Sequence, residues 1–109
     1  MLLNKGQTDI LTALSQHITQ MAAGTGSAAE AATDSALTNQ ANTPVTSFDL
    51  STQGQIVFYA VLPASVAAMT ITEMGLLTAD GKLLFRKVVS ATPKIAGQSV
   101  SLQYQIKIQ

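Results

Sequence analysis

The sequence predicts a mainly β domain, antiparallel and sandwich-like, with a short N-terminal helix that brings it to the margin of α+β. Three observations lead there. The C-terminal residues alternate without a break, with Val100, Leu102, Tyr104, Ile106 and Ile108 on one face and Ser101, Gln103, Gln105, Lys107 and Gln109 on the other. Asp80-Gly81 stands between two apolar runs, Thr70 to Ala79 and Lys82 to Ser90, the pattern of a β-hairpin closed by a type I′ turn. The run Gln55 to Leu62 (QIVFYAVL) is rich in β-branched and aromatic residues. At 109 residues the chain is read as one domain, 1–109, long enough to bury a core without a metal or disulfide staple.

From the N-terminus, Ile10, Leu11 and Leu14 fall at helical spacing and Ile18 continues the stripe, so a helix is expected over about residues 4–17, with Asn4 or Thr8 as its cap. Ile18 to Ala23 alternates loosely and fits a short strand. Gly24 to Thr43 is rich in Gly, Ala, Ser and Thr, and Leu37 is its one bulky apolar residue. Such a segment buries too little surface to order by itself. It is expected to be a long loop, about 24–43, lying on the domain or against a neighbour, with a helical turn possible at Ala28 to Ala32.

The β-rich part is expected over 44–109. Val45 to Leu50 alternates weakly. In the run from Gln55, Ile56, Phe58, Ala60 and Leu62 share one face while Val57, Tyr59 and Val61 share the other, which predicts a central strand covered on both sides and ended by Pro63. One or two antiparallel sheets follow from this pattern.

Charged residues make up only 11% of the chain, against roughly 25% in an average soluble domain. Six basic and six acidic residues balance, so no field draws nucleic acid or an anionic membrane to the surface, and neither is expected as a partner. A surface with so little charge either associates with other subunits or is solvated by Ser, Thr and Gln. The start, Met1-Leu2-Leu3-Asn4-Lys5-Gly6, lacks the apolar core of a signal peptide, so synthesis and folding in a cytoplasm are expected. The chain has no cysteine, which excludes thiol chemistry and Cys-based metal sites and leaves the redox compartment open.

No catalytic, cofactor-binding or metal-binding residues are assigned. His17, the only histidine, has no carboxylate at a ligand spacing and is read as a polar residue at the end of a helix. Glu73, within an apolar stretch, reads either as a general acid or base lacking its partner, or as a carboxylate that accepts backbone N–H bonds or pairs with Arg86 or Lys94; the second reading is preferred. Asp80 has a turn role. Gly24-Thr25-Gly26 lacks the following Gly-Lys-Ser/Thr of a phosphate loop. Aromatic residues are 5% with no Trp, a poor supply for a stacking platform, so no cofactor or small-molecule ligand is expected.

Three blocks carry a resemblance to known proteins. They are Gly24-Thr25-Gly26 with Asp34-Ser35-Ala36-Leu37; Ile71-Thr72-Glu73-Met74-Gly75-Leu76-Leu77 with Asp80-Gly81-Lys82-Leu83-Leu84-Phe85-Arg86; and Pro93-Lys94 shortly before the alternating strand from Ser99 to Ile108. In order and spacing they span nearly the whole chain, which resembles bacteriophage virion proteins of the tail-collar fibre group. The resemblance implies a non-enzymatic structural subunit of the virion, made in the host bacterial cytoplasm, that binds itself, as a trimer before other symmetries, and other virion proteins. Fibre proteins of that group continue into a long repetitive or receptor-binding part, whereas this sequence stops at Gln109. The expectation is therefore a tail-fibre anchor, collar or baseplate-associated subunit. A capsid decoration, cement or head-fibre protein is the alternative, and a carbohydrate-binding host-attachment module a lesser one. The helix and the 24–43 loop are the expected docking surface.

Overall fold

The computed structural model describes residues 1–108; Gln109, placed above on the polar face of the last strand, lies outside the described residues. Helix α1 (Asn4–His17) runs without a linker into β1 (Ile18–Gly24). The strands β2 (Ala41–Asp49), β3 (Gln55–Leu62), β4 (Met69–Thr78), β5 (Leu83–Lys94) and β6 (Val100–Lys107) follow. All pairings are antiparallel, in one six-stranded sheet of order β5-β4-β1-β2-β3-β6. The predicted mainly antiparallel β domain with one short helix is what the chain forms. Its sandwich-like character comes from a single sheet that curls almost into a barrel, so that its two halves share one core.

Inside the curl, Met21 and Ala23 from β1, Ile56, Phe58, Ala60 and Leu62 from β3, Ile71, Met74 and Leu76 from β4, and Leu102 and Tyr104 from β6 form one buried cluster. The period of two puts every second side chain of β6 inward, as its alternation requires. Leu11, buried to 1% exposure, and Leu14 pack α1 onto this core, while Ile10 points to solvent. Neither Asn4 nor Thr8 caps the helix. Leu3 occupies the cap position and no side chain bonds the free amides there. His17 ends the helix exposed to solvent.

Several boundaries and turns differ from expectation. β3 is central in the sheet, between β2 and β6, and its inner face is buried throughout, while its outer face is buried at Val57 (6% exposed), half-buried at Tyr59 and open at Val61 (42%). β2 starts at Ala41, inside the expected loop, because pairing with β1 (Ala23↔Ala41, Met21↔Thr43) supplies ladder bonds that local sequence does not announce. β5 continues past Ser90 to Lys94 through a register irregularity opposite Ile71–Glu73. The Asp80-Gly81 hairpin forms, yet not as a type I′ turn, since only Gly81 takes a positive φ (+85°). Gly81 N–H donates to Thr78 O (3.0 Å), and Thr78 N–H donates to Lys82 O (3.0 Å), leaving a three-residue loop with glycine in the left-handed position. The Thr78 hydroxyl bonds the Asp80 carboxylate inside the turn, where Asp80 keeps a negative φ.

Candidate functional site

The outer face of β1, β4 and β5 is covered by the 25–40 segment, and the join is the densest polar arrangement of the molecule. Ala22 and Gly24 on β1 and Gly75 on β4 leave a shallow trough in that face. A Cβ on Gly24 would lie 2.6 Å from Glu73 Oε2 and 2.8 Å from Leu37 Cβ, and one on Gly75 would lie 2.5 Å from Leu83 Cδ1. Only small residues let the segment lie this close. Into the trough goes Leu37, buried with Ala22 and Leu77 and flanked by Leu83, as a second small core on the far side of the sheet.

Beside it sits Glu73, 1% exposed. Its Oε2 accepts N–H bonds from Gly26 (2.7 Å) and Thr38 (2.8 Å), and its Oε1 accepts one from Arg86 Nε (2.7 Å). Arg86 goes on to Asp34 Oδ2 (3.0 Å, through Nη1) and the Ala28 carbonyl (2.8 Å, through Nη2). The neighbouring Thr72 hydroxyl donates to Gly26 O (2.7 Å), so Gly26 is held by both its amide and its carbonyl. Further along, Glu30 Oε1 accepts the Val88 N–H (3.1 Å) from the edge strand β5. One carboxylate and one guanidinium thus clasp both ends and the middle of the long loop to the sheet.

Of the two readings of Glu73, the geometry realises the carboxylate that accepts backbone N–H bonds and pairs with Arg86. Lys94 is not its partner. It lies at the far end of β5, buried, with Nζ donating to Ile95 O (3.3 Å). Burial pushes the Glu73 carboxyl upward, but the bonds from Arg86, Thr38 and Gly26 outweigh it and hold it below its ordinary value of 4.5. Glu73 in turn raises the Arg86 guanidinium.

A pH dependence follows. A carboxyl whose folded pKa is depressed contributes stability that is fully present above its unfolded value and is lost as pH falls through the folded one. The stability difference between the native chain and Glu73→Gln is therefore expected to be constant above about pH 5 and to shrink as pH falls below 4.5. Urea denaturation of both proteins from pH 7 to pH 3 checks it. An unchanging difference across that range would show that the Glu73 charge is not what the clasp uses.

The loop is accordingly a strap on its own domain. Ala28 to Ala32 forms no helical turn; a turn at Ala32-Thr33 is closed instead by Asp34 N–H to Ala31 O (3.0 Å). Gly24-Thr25-Gly26 serves close approach and N–H donation to a carboxylate of the chain itself. Sequence reasoning found Glu73 and Arg86 but missed Asp34, Glu30 and Leu37 as their companions. The isolated Leu37 in an otherwise small-residue stretch was the available signal for an anchor. Among the described residues no three His, Asp or Glu side chains converge as a metal site. Comparison with protein families, with characterised proteins and with solved structures finds no match to this chain.

Proposed function

We propose that this chain is a structural subunit of a bacteriophage particle, a tail-fibre anchor, collar or baseplate-associated piece that acts by protein–protein contact rather than catalysis. The observation that carries the reading is the convergence of two of the three resembling blocks. Gly24, Gly26, Asp34 and Leu37 come from the first block, and Glu73, Gly75, Leu77 and Arg86 from the second; in the fold they meet in the one clasp. Short motifs that match by accident have no reason to pack on each other. The chemistry of the clasp supports a building role as well. Both oxygens of Glu73 are engaged in holding the backbone or Arg86, which suits a scaffold.

The exterior fits a subunit that packs among others. The outer face of β3 and β6 presents Tyr59, Val61, Ser101, Gln103 and Gln105, with Lys107 at its end as the one charge on β6. Neutral polar faces of this kind dock without the desolvation cost that charges impose. With the strap tied down by its own sheet, this face and the strand edges join the helix and the 24–43 loop as the surfaces on which neighbours would dock.

Gold labelling of intact particles with an antibody against this chain, viewed by electron microscopy, tests the reading. Label on the tail or its tip supports a fibre or baseplate subunit, and label over the head moves the chain to capsid decoration. Particles that carry no label either intact or after disruption would sink the virion role.

A further inference from the structure

The curled sheet has two free edges, and they are built differently. At β5 the edge is guarded. Glu30 from the strap caps the Val88 N–H, Pro93 has no N–H to offer, Arg86 and Lys87 bring charge, and the register with β4 shifts twice. These are the devices by which edge strands refuse new partners. β6 carries none of them in its own residues, although Lys87 reaches across from β5 to lie over its inward Tyr104 ring (4.4 Å). Its register with β3 runs unbroken from Gln55↔Lys107 to Leu62↔Val100, with no proline, no bulge and a single charge, Lys107.

The direction of its free groups can be read from one bond. Ile108 N–H donates to Gly54 O (2.8 Å) on the β3 side. Antiparallel alternation then turns the N–H and C=O of Leu102, Tyr104 and Ile106 towards β3, and those of Ser101, Gln103, Gln105 and Lys107 outward. Among the described residues, β6 pairs with β3 alone.

We propose that this edge pairs antiparallel with the β6 of a second copy, giving a two-fold dimer whose sheet is continuous across the axis. The strand is self-complementary in that arrangement. With Gln103 opposite the partner's Gln103, Ser101 meets the partner's Gln105 and Leu102 meets the partner's Tyr104, so polar stays with polar outside and apolar with apolar inside. Lys107, the only charge, falls opposite the partner's Ser99, and no like charges meet. The amide row on the outer face is already begun within one copy, where Gln105 Nε2 donates to Gln55 Oε1 (2.7 Å). A head-to-tail ring would have to use the guarded β5 edge, so the self-pairing contact is the one favoured. This contact is two-fold, unlike the three-fold arrangement implied by the resemblance, and it rests on the edges alone, independently of the virion reading.

The test uses the full chain and two variants. Sedimentation equilibrium is expected to give a dimer for the native chain. Gln103→Pro removes an outward N–H while sparing the bonds to β3, and is expected to give a monomer with an unchanged circular dichroism spectrum. Gln103→Cys introduces the chain's only thiol, so any disulfide must join two copies; opposed residues of a hydrogen-bonded pair lie within bridging distance, and oxidation is expected to yield the covalent dimer. Ser90→Cys on β5 is expected to give none. A native monomer at the highest soluble concentration, a native trimer, a folded Gln103→Pro dimer, or equal cross-linking at Ser90 and Gln103 would each overturn the proposal. If Gln103→Pro fails to fold, the pair of cysteine variants decides the question.

Discussion

Glu73→Ala is expected to destabilise the fold by about 3–5 kcal/mol, seen as a lower urea midpoint at an unchanged slope. The side chain is almost wholly buried and ties three donors that lie far apart in the sequence. Its removal leaves the part-buried Gly26 and Thr38 amides without their acceptor, a loss that costs about 1–3 kcal/mol per N–H where water cannot replace it. The methylenes and carboxyl also vacate packed space beside Gly24. Arg86→Ala is expected to cost less, because the carboxylate keeps two N–H bonds after the guanidinium is gone. The order of the two variants is the informative result. If Arg86→Ala were the more damaging, the backbone bonds would be secondary and the ion pair would be the true fastening.

Leu37→Ala is expected to cost about 2–4 kcal/mol and to release the strap. Leu37 is the strap's only buried large side chain, at 7% exposure, and it fills the trough over Ala22 and Leu77. Alanine in its place would leave a cavity roofed by a segment with little else apolar to collapse into it. Limited proteolysis should register the change as faster cleavage between Ser27 and Ala36, where most residues are exposed. Leu37 and Glu73 hold the same segment and touch the same glycine, so their effects should fall short of additive in the double variant. Full additivity would mean that the apolar and polar halves of the clasp work separately.

The elements legible in the sequence were those whose pattern answers to one face and one turn. β6 alternates cleanly because its inner residues meet the core and its outer ones meet water. The Asp80-Gly81 hairpin was legible as a hairpin, while its three-residue loop, accompanied by hydrogen bonds to the Thr78 side chain, was not. β1 was only faintly legible. Its residues Met21-Ala22-Ala23-Gly24 have weak strand preference, and the small ones are there for the strap that must lie against them. Its conformation is imposed by neighbours on both sides, β2 and β4. The expected two-sided burial of β3 holds at Val57 and fails at Val61 for a related reason. An outward Val or Tyr on a neutral sheet face reads the same whether its cover is another layer or solvent.

For the clasp, an acid amid apolar residues was enough to single out Glu73 and to prefer a structural role with Arg86 among its partners. Asp34 and Glu30 were not legible, because they sit in a polar stretch where a carboxylate attracts no notice. Nor were the glycines understood from sequence, since close approach depends on what crosses the strand and the crossing segment is adjacent only in space.

The strand order also governs the sequence of events by which the chain reaches this fold. Two pieces can form from near neighbours, the meander β1-β2-β3 and the hairpin β4-β5, but β1 meets β4 and β3 meets β6 only after long stretches of chain have been closed. Pairings between distant segments slow the search, so folding in milliseconds to seconds is the natural scale for such a topology. The clasp straddles the two pieces, with its strap belonging to the meander and Glu73 and Arg86 to the hairpin. It therefore closes late. Weakening it should leave the folding rate nearly untouched and hasten unfolding, which makes the clasp a determinant of how long the folded chain survives.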